Sequence, residues 1–231
     1  SWNKMMEAAG YKVKYYQYPK IPDKLTPELS YFLGLVITDG HLQYDNQRYG
    51  VYLFTSYEEE VYLIIKLIKE IFNYNARSYK RKKMGFSKKH NFQIKINSKE
   101  LVWNLNKKFN MPIGNKSLTA RIPKIIIASN KENICNFIRG NIDGDGHISQ
   151  SMVHINSGSY LFLKDFKKLL FKIGINYKTK IQKEKTCYRI NLNQGDSREI
   201  YYMCYNKAKY FYPRKKDKLL RTNIFKNIRL R

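Results

Sequence analysis

Acidic residues are scarce in this chain. Its 231 residues hold 18 Asp and Glu against 44 Lys and Arg, a formal net charge of +26. Such a charge repels itself and suits a polyanion. A genome biased toward Lys, Asn, Tyr and Ile would raise those residues without suppressing Asp and Glu, so the excess reads as selected. No long apolar run and no basic amphipathic helix is present, which argues against a membrane partner. The first residues have no apolar core of a secretory signal, so export is not expected. Cysteine is limited to Cys135, Cys187 and Cys204. The number is odd, and no Cys-x-x-Cys or Cys/His zinc spacing occurs. These read as reduced thiols of an intracellular protein, with cytoplasm, nucleoid and organelle all left open. The 20 Tyr and 12 Phe are scattered and form no single-stranded RNA stacking motif. The 43% hydrophobic content supports a packed core and excludes global disorder. The length fits one large domain or two compact ones.

What is there is a repeat. Phe32-Leu33-Gly34-Leu35-Val36-Ile37-Thr38-Asp39-Gly40, then His41-Leu42, parallels Ile138-Arg139-Gly140-Asn141-Ile142-Asp143-Gly144-Asp145-Gly146, then His147-Ile148. Each reads as a helix. Thr26-Pro27-Glu28 is a cap followed by Pro at the first helical place, and Ser129-Asn130-Lys131-Glu132 fits a capping box. Gly40 and Gly146 are expected to stop the helices in the left-handed conformation. Gly34 with Thr38, and Gly140 with Gly144, put small residues on one face, where two helices can pack closely. Asp39 and Asp145 then fall in last helical turns, where the dipole disfavours negative charge. Side by side, the two acids call for a cation between or beside them. An oxygen-only donor set with few protein ligands suits hydrated magnesium. His41 and His147 have no third partner at zinc spacing and are expected to begin strands facing the partner.

The rest of the chain can be laid out twice in one order. Residues 1–25 form an N-terminal extension, broken off by Pro19 and Pro22. The first repeat, 26–113, continues with strands near 41–48 and 49–56 and a helix at 57–72. A basic strand at 76–81, the alternating strand Phe92–Asn97 and a helix at 99–109 complete it. A linker, 114–130, leads to the second repeat, 131–231. There a helix at 131–144 precedes a strand at 152–156, a helix through Phe162–Ile173 and a basic strand at 177–182. The alternating strand Tyr188–Asn193 and a helix near 197–206 follow. The fold class is α+β: two pseudo-symmetric αββαββα repeats, with helices on one face of each antiparallel sheet. The open faces carry Gln43, Arg77, Tyr79, Arg81, Gln93, Lys95 and Asn97 in one half. In the other they carry His154, Asn156, Lys178, Lys180, Gln182, Arg189, Asn191 and Asn193. Arg and Lys hydrogen-bond guanine edges, and Asn and Gln those of adenine, so the two sheets are expected to form a saddle on double-stranded DNA.

The two matched stretches resemble the signature helices of the LAGLIDADG homing endonucleases, in the single-chain, two-repeat form. The second copy is close to the signature. The first departs at its sixth place, with Ile37 where an acid is usual. The resemblance implies a monomer that cuts both strands of a long, partly symmetric target by metal-dependent phosphodiester hydrolysis. It implies Asp39 and Asp145 as magnesium ligands, aided by the carbonyls of Thr38 and Gly144. It further implies a lysine near each scissile phosphate. Lys116 in Gly114-Asn115-Lys116-Ser117 is one, and Lys215 in Pro213-Arg214-Lys215-Lys216, favoured over Lys216, is the other. Ser56 and Ser157 take the strand-end places where the family often has Gln. Two alternatives share the scaffold: an intron maturase that binds its own intron RNA, and a DNA-binding protein that does not cleave.

Overall fold

The computed structural model describes residues 2–11, 17–45, 47–81, 91–150, 152–176, 178 and 180–221. A short helix, α1 (Trp2–Ala8), comes first. The first series is α2 (Pro27–Thr38), β1 (Gly40–Tyr44), β2 (Tyr49–Thr55), α3 (Glu58–Phe72), β3 (Arg77–Arg81), β4 (Asn91–Ile96) and α4 (Lys99–Phe109). A single-turn helix, α5 (Lys124–Ile127), lies in the connection. The second series is α6 (Lys131–Gly144), β5 (His147–Ser149), β6 (Met152–Ser157), α7 (Tyr160–Ile173), β7 (Gln182–Lys183), β8 (Tyr188–Asn191) and α8 (Gln194–Ile200). A π-helical turn (Tyr201–Tyr205) extends α8, and α9 (Pro213–Arg221) follows.

Local chemistry sets the helix ends. The Thr26 hydroxyl accepts from the Leu29 amide at 3.2 Å, and Pro27 opens α2. In α6 the cap is Asn130, whose side chain accepts from the Asn133 amide at 2.9 Å. The box expected from Ser129 is not formed, because that hydroxyl donates to the Ile126 carbonyl at 2.8 Å and closes α5 instead. Helix α3 has no side-chain cap, but Glu58, Glu59 and Glu60 face the positive end of its dipole. The left-handed stop expected at Gly40 and Gly146 is also absent. Neither has positive φ, and Asp39 and Asp145 are C-caps with helical backbone. Glycine is required there for close approach: a Cβ would lie 2.5 Å from Val36 Cα in one case and 2.6 Å from Ile142 Cα in the other. Each helix thus turns into its first strand with no room for a side chain.

The two sheets have one plan, antiparallel with strand orders β1-β2-β4-β3 and β5-β6-β8-β7. Pairing sorts the side chains by face. Leu42 opposes Val51, Val51 opposes Ile96, and Leu53 opposes Ile94, all buried against the helices. In the second sheet Val153, Ile155 and Ile190 are buried in the same way. Helices α2 and α6 lie at the centre; Leu29 through Ile37 are all buried. No helix among the described residues is long and apolar enough to cross a membrane.

Several expected elements differ. The basic strand of the second half shrinks to Gln182–Lys183, so Lys178 and Lys180 precede it as exposed irregular chain; Tyr177 and Thr179 lie outside the described residues. Asn97 falls just past β4. Asn193 is a helix cap, accepting from the Asp196 amide at 2.8 Å and donating to the Asp196 carboxylate at 2.9 Å. Its hydrogen-bonding groups are used on its own helix rather than on the open face. The helix expected at 197–206 begins at Gln194 because of that cap. Helices α1, α5 and α9 were not legible in the pattern. Positions 12–16 of the extension and 82–90 of the lysine-rich loop lie outside the described residues. Residues 17–20 are tethered: the Gln17 side chain bridges Asn73 O and Asn75 N, and Lys20 N donates to Phe72 O at 2.7 Å.

Candidate active site and nucleic-acid interface

Small residues let α2 and α6 meet backbone to backbone. A Cβ on Gly34 would fall 2.5 Å from the Phe137 carbonyl oxygen and 3.0 Å from Gly140 Cα. Gly140 stands against Tyr31 O and Gly34 Cα, and Gly144 against the Thr38 side chain. Residue 34 faces 140 and 38 faces 144, so the helices run parallel and end together. Thr38 fits beside Gly144 because its hydroxyl folds back on its own helix, donating to Gly34 O and Leu35 O, each at 3.0 Å.

Two negative helix ends therefore coincide, and each carries an aspartate. Burial, and after it the charge of Asp145, pushes the Asp39 carboxyl up to about 7; Lys215 offsets this in part. The two carboxyls are close enough to share a hydrogen bond. Among the described residues neither forms an ion pair with a basic side chain. Nor do three His, Cys, Asp or Glu cluster there, so the donor set is two carboxylates with nearby backbone oxygens. That set fits a hard, hydrated divalent cation and leaves most ligand places to water and substrate.

Two lysines flank the pair at equivalent places. Lys116 donates to Thr38 O at 2.9 Å and to Gly40 O at 2.6 Å. Lys215 donates to Gly146 O. Burial lowers the Lys116 pKa. Burial, then the neighbouring Arg214 charge, brings Lys215 down to about 8. Lys216 lies elsewhere, its ammonium 4.2 Å from the centre of the Phe211 ring. The Thr38 carbonyl, a metal ligand by the resemblance, is occupied here by the Lys116 ammonium. Gly144 closes α6 beside it. Ser56 donates to Asn91 Oδ1 at 2.7 Å, and Ser157 accepts from the Ser159 amide at 3.1 Å, so both hydroxyls are engaged locally.

The open faces carry most of the expected side chains. Arg77 opposes Lys95, Tyr79 opposes Gln93, and Arg81 opposes Asn91; His41 and Gln43 share that face. It also carries Tyr52 and Phe54, which sequence reading missed. Lys95 Nζ lies 5.0 Å from the Tyr52 ring centre, and the Arg81 guanidinium 5.7 Å from that of Phe54. In Val51–Thr55 aromatic and aliphatic residues alternate, which reads as a strand buried on both faces, and only the register separates them. The second face is cross-linked by hydrogen bonds. His154 bonds Ser149 at 2.9 Å and Asn191 at 2.6 Å, and Asn191 donates to Gln182 at 2.7 Å. Arg189 donates to Asn156 at 2.7 Å and pairs with Glu184 at 2.7 Å. His147 lies beside His154, ring centres 5.8 Å apart.

A third carboxylate was missed as well. Asp143, at the sixth signature place, is fully buried and accepts from Tyr31 OH, Tyr205 OH and the Tyr212 amide at 2.7–2.9 Å. Burial raises its pKa to about 6 against the pull of those donors and of Arg139. It ties α6 to α2, to the π-helical turn and to the approach to α9.

Residues 132–203 match the family model described as a LAGLIDADG-like domain. That match lies in the second half of the chain and takes in α6 and its Asp-Gly end. The fold of the whole chain is that of the homing endonuclease I-DmoI, solved in complex with DNA and Mn. The two share a TM-score of 0.59 and 16% identity over 80% of this chain and 99% of that one. The homing endonuclease I-WcaI, bound to its DNA recognition sequence, gives a TM-score of 0.61 at 13% identity over 86% of this chain and 88% of that one. The chain is also 28% identical over 163 residues to a glutamine–fructose-6-phosphate aminotransferase of Methanocaldococcus jannaschii, covering 69% of this chain and 14% of that protein. With one polypeptide of the A-type ATP synthase of Pyrococcus abyssi it shares 29% identity over 182 residues, 77% of this chain and 17% of that protein. The chain thus spans only a small part of the curated relatives it matches.

Proposed function

We propose that this chain is a site-specific DNA endonuclease that makes a double-strand break in a long, partly symmetric target. The observation that carries this reading is the convergence of Asp39 and Asp145 at two parallel helix ends, with Lys116 and Lys215 on matching backbone carbonyls. Asp39 and Asp145 would hold magnesium, which lowers the pKa of bound water and screens the phosphate charge. Lys116 and Lys215 each present an ammonium to one scissile phosphate, where negative charge grows as the in-line P–O bond breaks. The open faces set register and read base edges: Arg77, Arg81, Gln93 and Lys95 on one half, Asn156, Gln182, Arg189 and Asn191 on the other. Their different chemistry implies that the half-sites differ. One chain holds both acids, so it acts as a monomer, with repeats at 26–113 and 131–231 joined by 114–130. The aminotransferase and the ATP synthase are unrelated by name, yet a stretch of each resembles this chain. Such a segment reads as a transferable unit, independent of its host's chemistry.

The test is selection from a pool of random duplex DNA with magnesium, followed by sequencing of the cut ends. One recurrent sequence, cut on both strands and left intact when chelator replaces magnesium, is expected. Bound but uncut DNA, or preferential capture of RNA, would overturn the endonuclease reading.

A further inference from the structure

The two lysine-bearing segments are held by the repeats to which they do not belong. Lys116 follows the first repeat. The turn after it is closed by Ala120 N donating to Lys116 O at 2.8 Å, and Ala120 O accepts from the Ser159 hydroxyl, the cap of α7, at 2.8 Å. Arg121 then forks onto Asp165 of α7, with Nε at 2.6 Å and Nη2 at 3.2 Å. The Asp165 side chain is 2% exposed. Lys215 lies in α9, at the end of the second repeat. Its neighbour Arg214 donates through Nε to Glu60 of α3 at 2.6 Å, and Glu60 is fully buried. The Arg214 guanidinium also lies 4.5 Å from the ring centre of Tyr57. Helices α3 and α7 are counterparts, each the first helix after a repeat's opening hairpin. The two contacts are therefore reciprocal: a guanidinium within five residues of each lysine reaches a buried acid on the opposite repeat's helix, Glu60 in the first turn of α3 and Asp165 in the second turn of α7.

Burying a carboxylate is costly unless a partner neutralises it, and removing one partner leaves the other stranded. Asp165 also accepts from Lys168 of its own helix at 3.1 Å, and Glu60 from the Thr55 hydroxyl, so each acid is fixed within its own repeat and draws the other repeat's arginine to a set point. Each pair also comes within five residues of an ammonium that ends on its own repeat's Asp-Gly turn. We infer that Arg121 with Asp165, and Arg214 with Glu60, are cross-braces that position Lys116 and Lys215, so that each repeat sets the lysine of the other. Arg121 and Arg214 are positioning residues; the group facing phosphate is the lysine.

This rests on the endonuclease reading above, and the test separates the two. The target selected from the random pool is labelled on one strand at a time and cut by Glu60→Gln and by Asp165→Asn proteins. Misplacing a reacting group by about 1 Å costs on the order of 100-fold, so each variant is expected to slow one strand by roughly tenfold or more, and the two variants opposite strands. In parallel, an amine-reactive ester is applied to protein without DNA, and lysine labelling is read by mass spectrometry. Labelling of Lys215 should rise severalfold in Glu60→Gln with Lys116 unchanged, and the reverse in Asp165→Asn. The paired replacement Glu60→Gln with Arg214→Met leaves no buried charge unpaired, and should show the same strand bias with folding intact. Equal slowing of both strands, or labelling that does not distinguish the two lysines, overturns the braces even in a protein that cuts. A wild-type chain that cuts neither strand overturns the endonuclease reading, and the labelling then judges the braces alone.

Discussion

Asp39 is the residue whose environment is least like that of an ordinary surface acid. Its folded pKa, about 7, lies above its unfolded value, so the folded chain holds a proton that the unfolded chain has released. The sign follows: without divalent cation, stability falls as pH rises from about 4 toward 7. Magnesium should therefore raise the melting temperature more at pH 8 than at pH 5.5, and Asp39→Asn should flatten both the pH and the metal dependence in a thermal scan. Asp143 poses the opposite problem, a buried acid satisfied by three donors. Asp143→Leu would leave those donors without their acceptor, at about 3 kcal/mol or more, read as a lower midpoint in denaturant. Ile37, the matched residue in the first repeat, is buried among apolar side chains. The departure from the signature there is thus compatible with the core, and the buried acid belongs to one repeat only.

At the scale of elements, the α2–α6 contact is the joint on which the site depends. Gly34→Ala or Gly140→Ala would drive a methyl group into facing backbone, which cannot yield as a flexible side chain does. A loss of roughly 1–3 kcal/mol or more is expected for each. Gly114→Ala has open space around it but positive φ, and should cost only about 1 kcal/mol. Denaturant unfolding of the three variants ranks them. This joint was legible in the sequence because small residues four apart occur twice and each run ends in Asp-Gly. The helix spans at 99–109 and 131–144 were legible as well, from apolar spacing and caps. Legibility failed where tertiary contacts decide the outcome. Helix α9 is strongly basic and is fixed by Glu60 of α3 and by the Gly146 carbonyl, so no local period announced it. The shortened β7 failed for a related reason: alternation alone cannot say where a ladder of hydrogen bonds ends. The cross-strand aromatics Tyr52 and Phe54 were hidden because a strand apolar on both sides has no readable face.

Over the whole molecule, on the endonuclease reading proposed above, +26 of formal charge on two open sheets makes phosphate contact the largest contribution to duplex binding. With about 6–10 phosphates neutralised, affinity for duplex should fall by roughly 1,000-fold or more between 50 and 200 mM salt. A gel-shift or anisotropy titration measures that slope, and a nearly flat one would remove the sheets as the footprint. Charge and repeat together led to the proposed duplex partner, and the divergence of the halves to the proposed partly symmetric target. The two open faces differ in chemistry, with cations over aromatic rings on one and a hydrogen-bonded chain of side chains on the other. The central claim is that two parallel helices deliver one acid each to a shared cutting centre. The most direct measurement is strand-break formation by Asp39→Asn and Asp145→Asn proteins on the selected target, alongside their affinity for the same duplex. Double-strand cutting is predicted to vanish in both while binding persists; unimpaired cutting by either would contradict it.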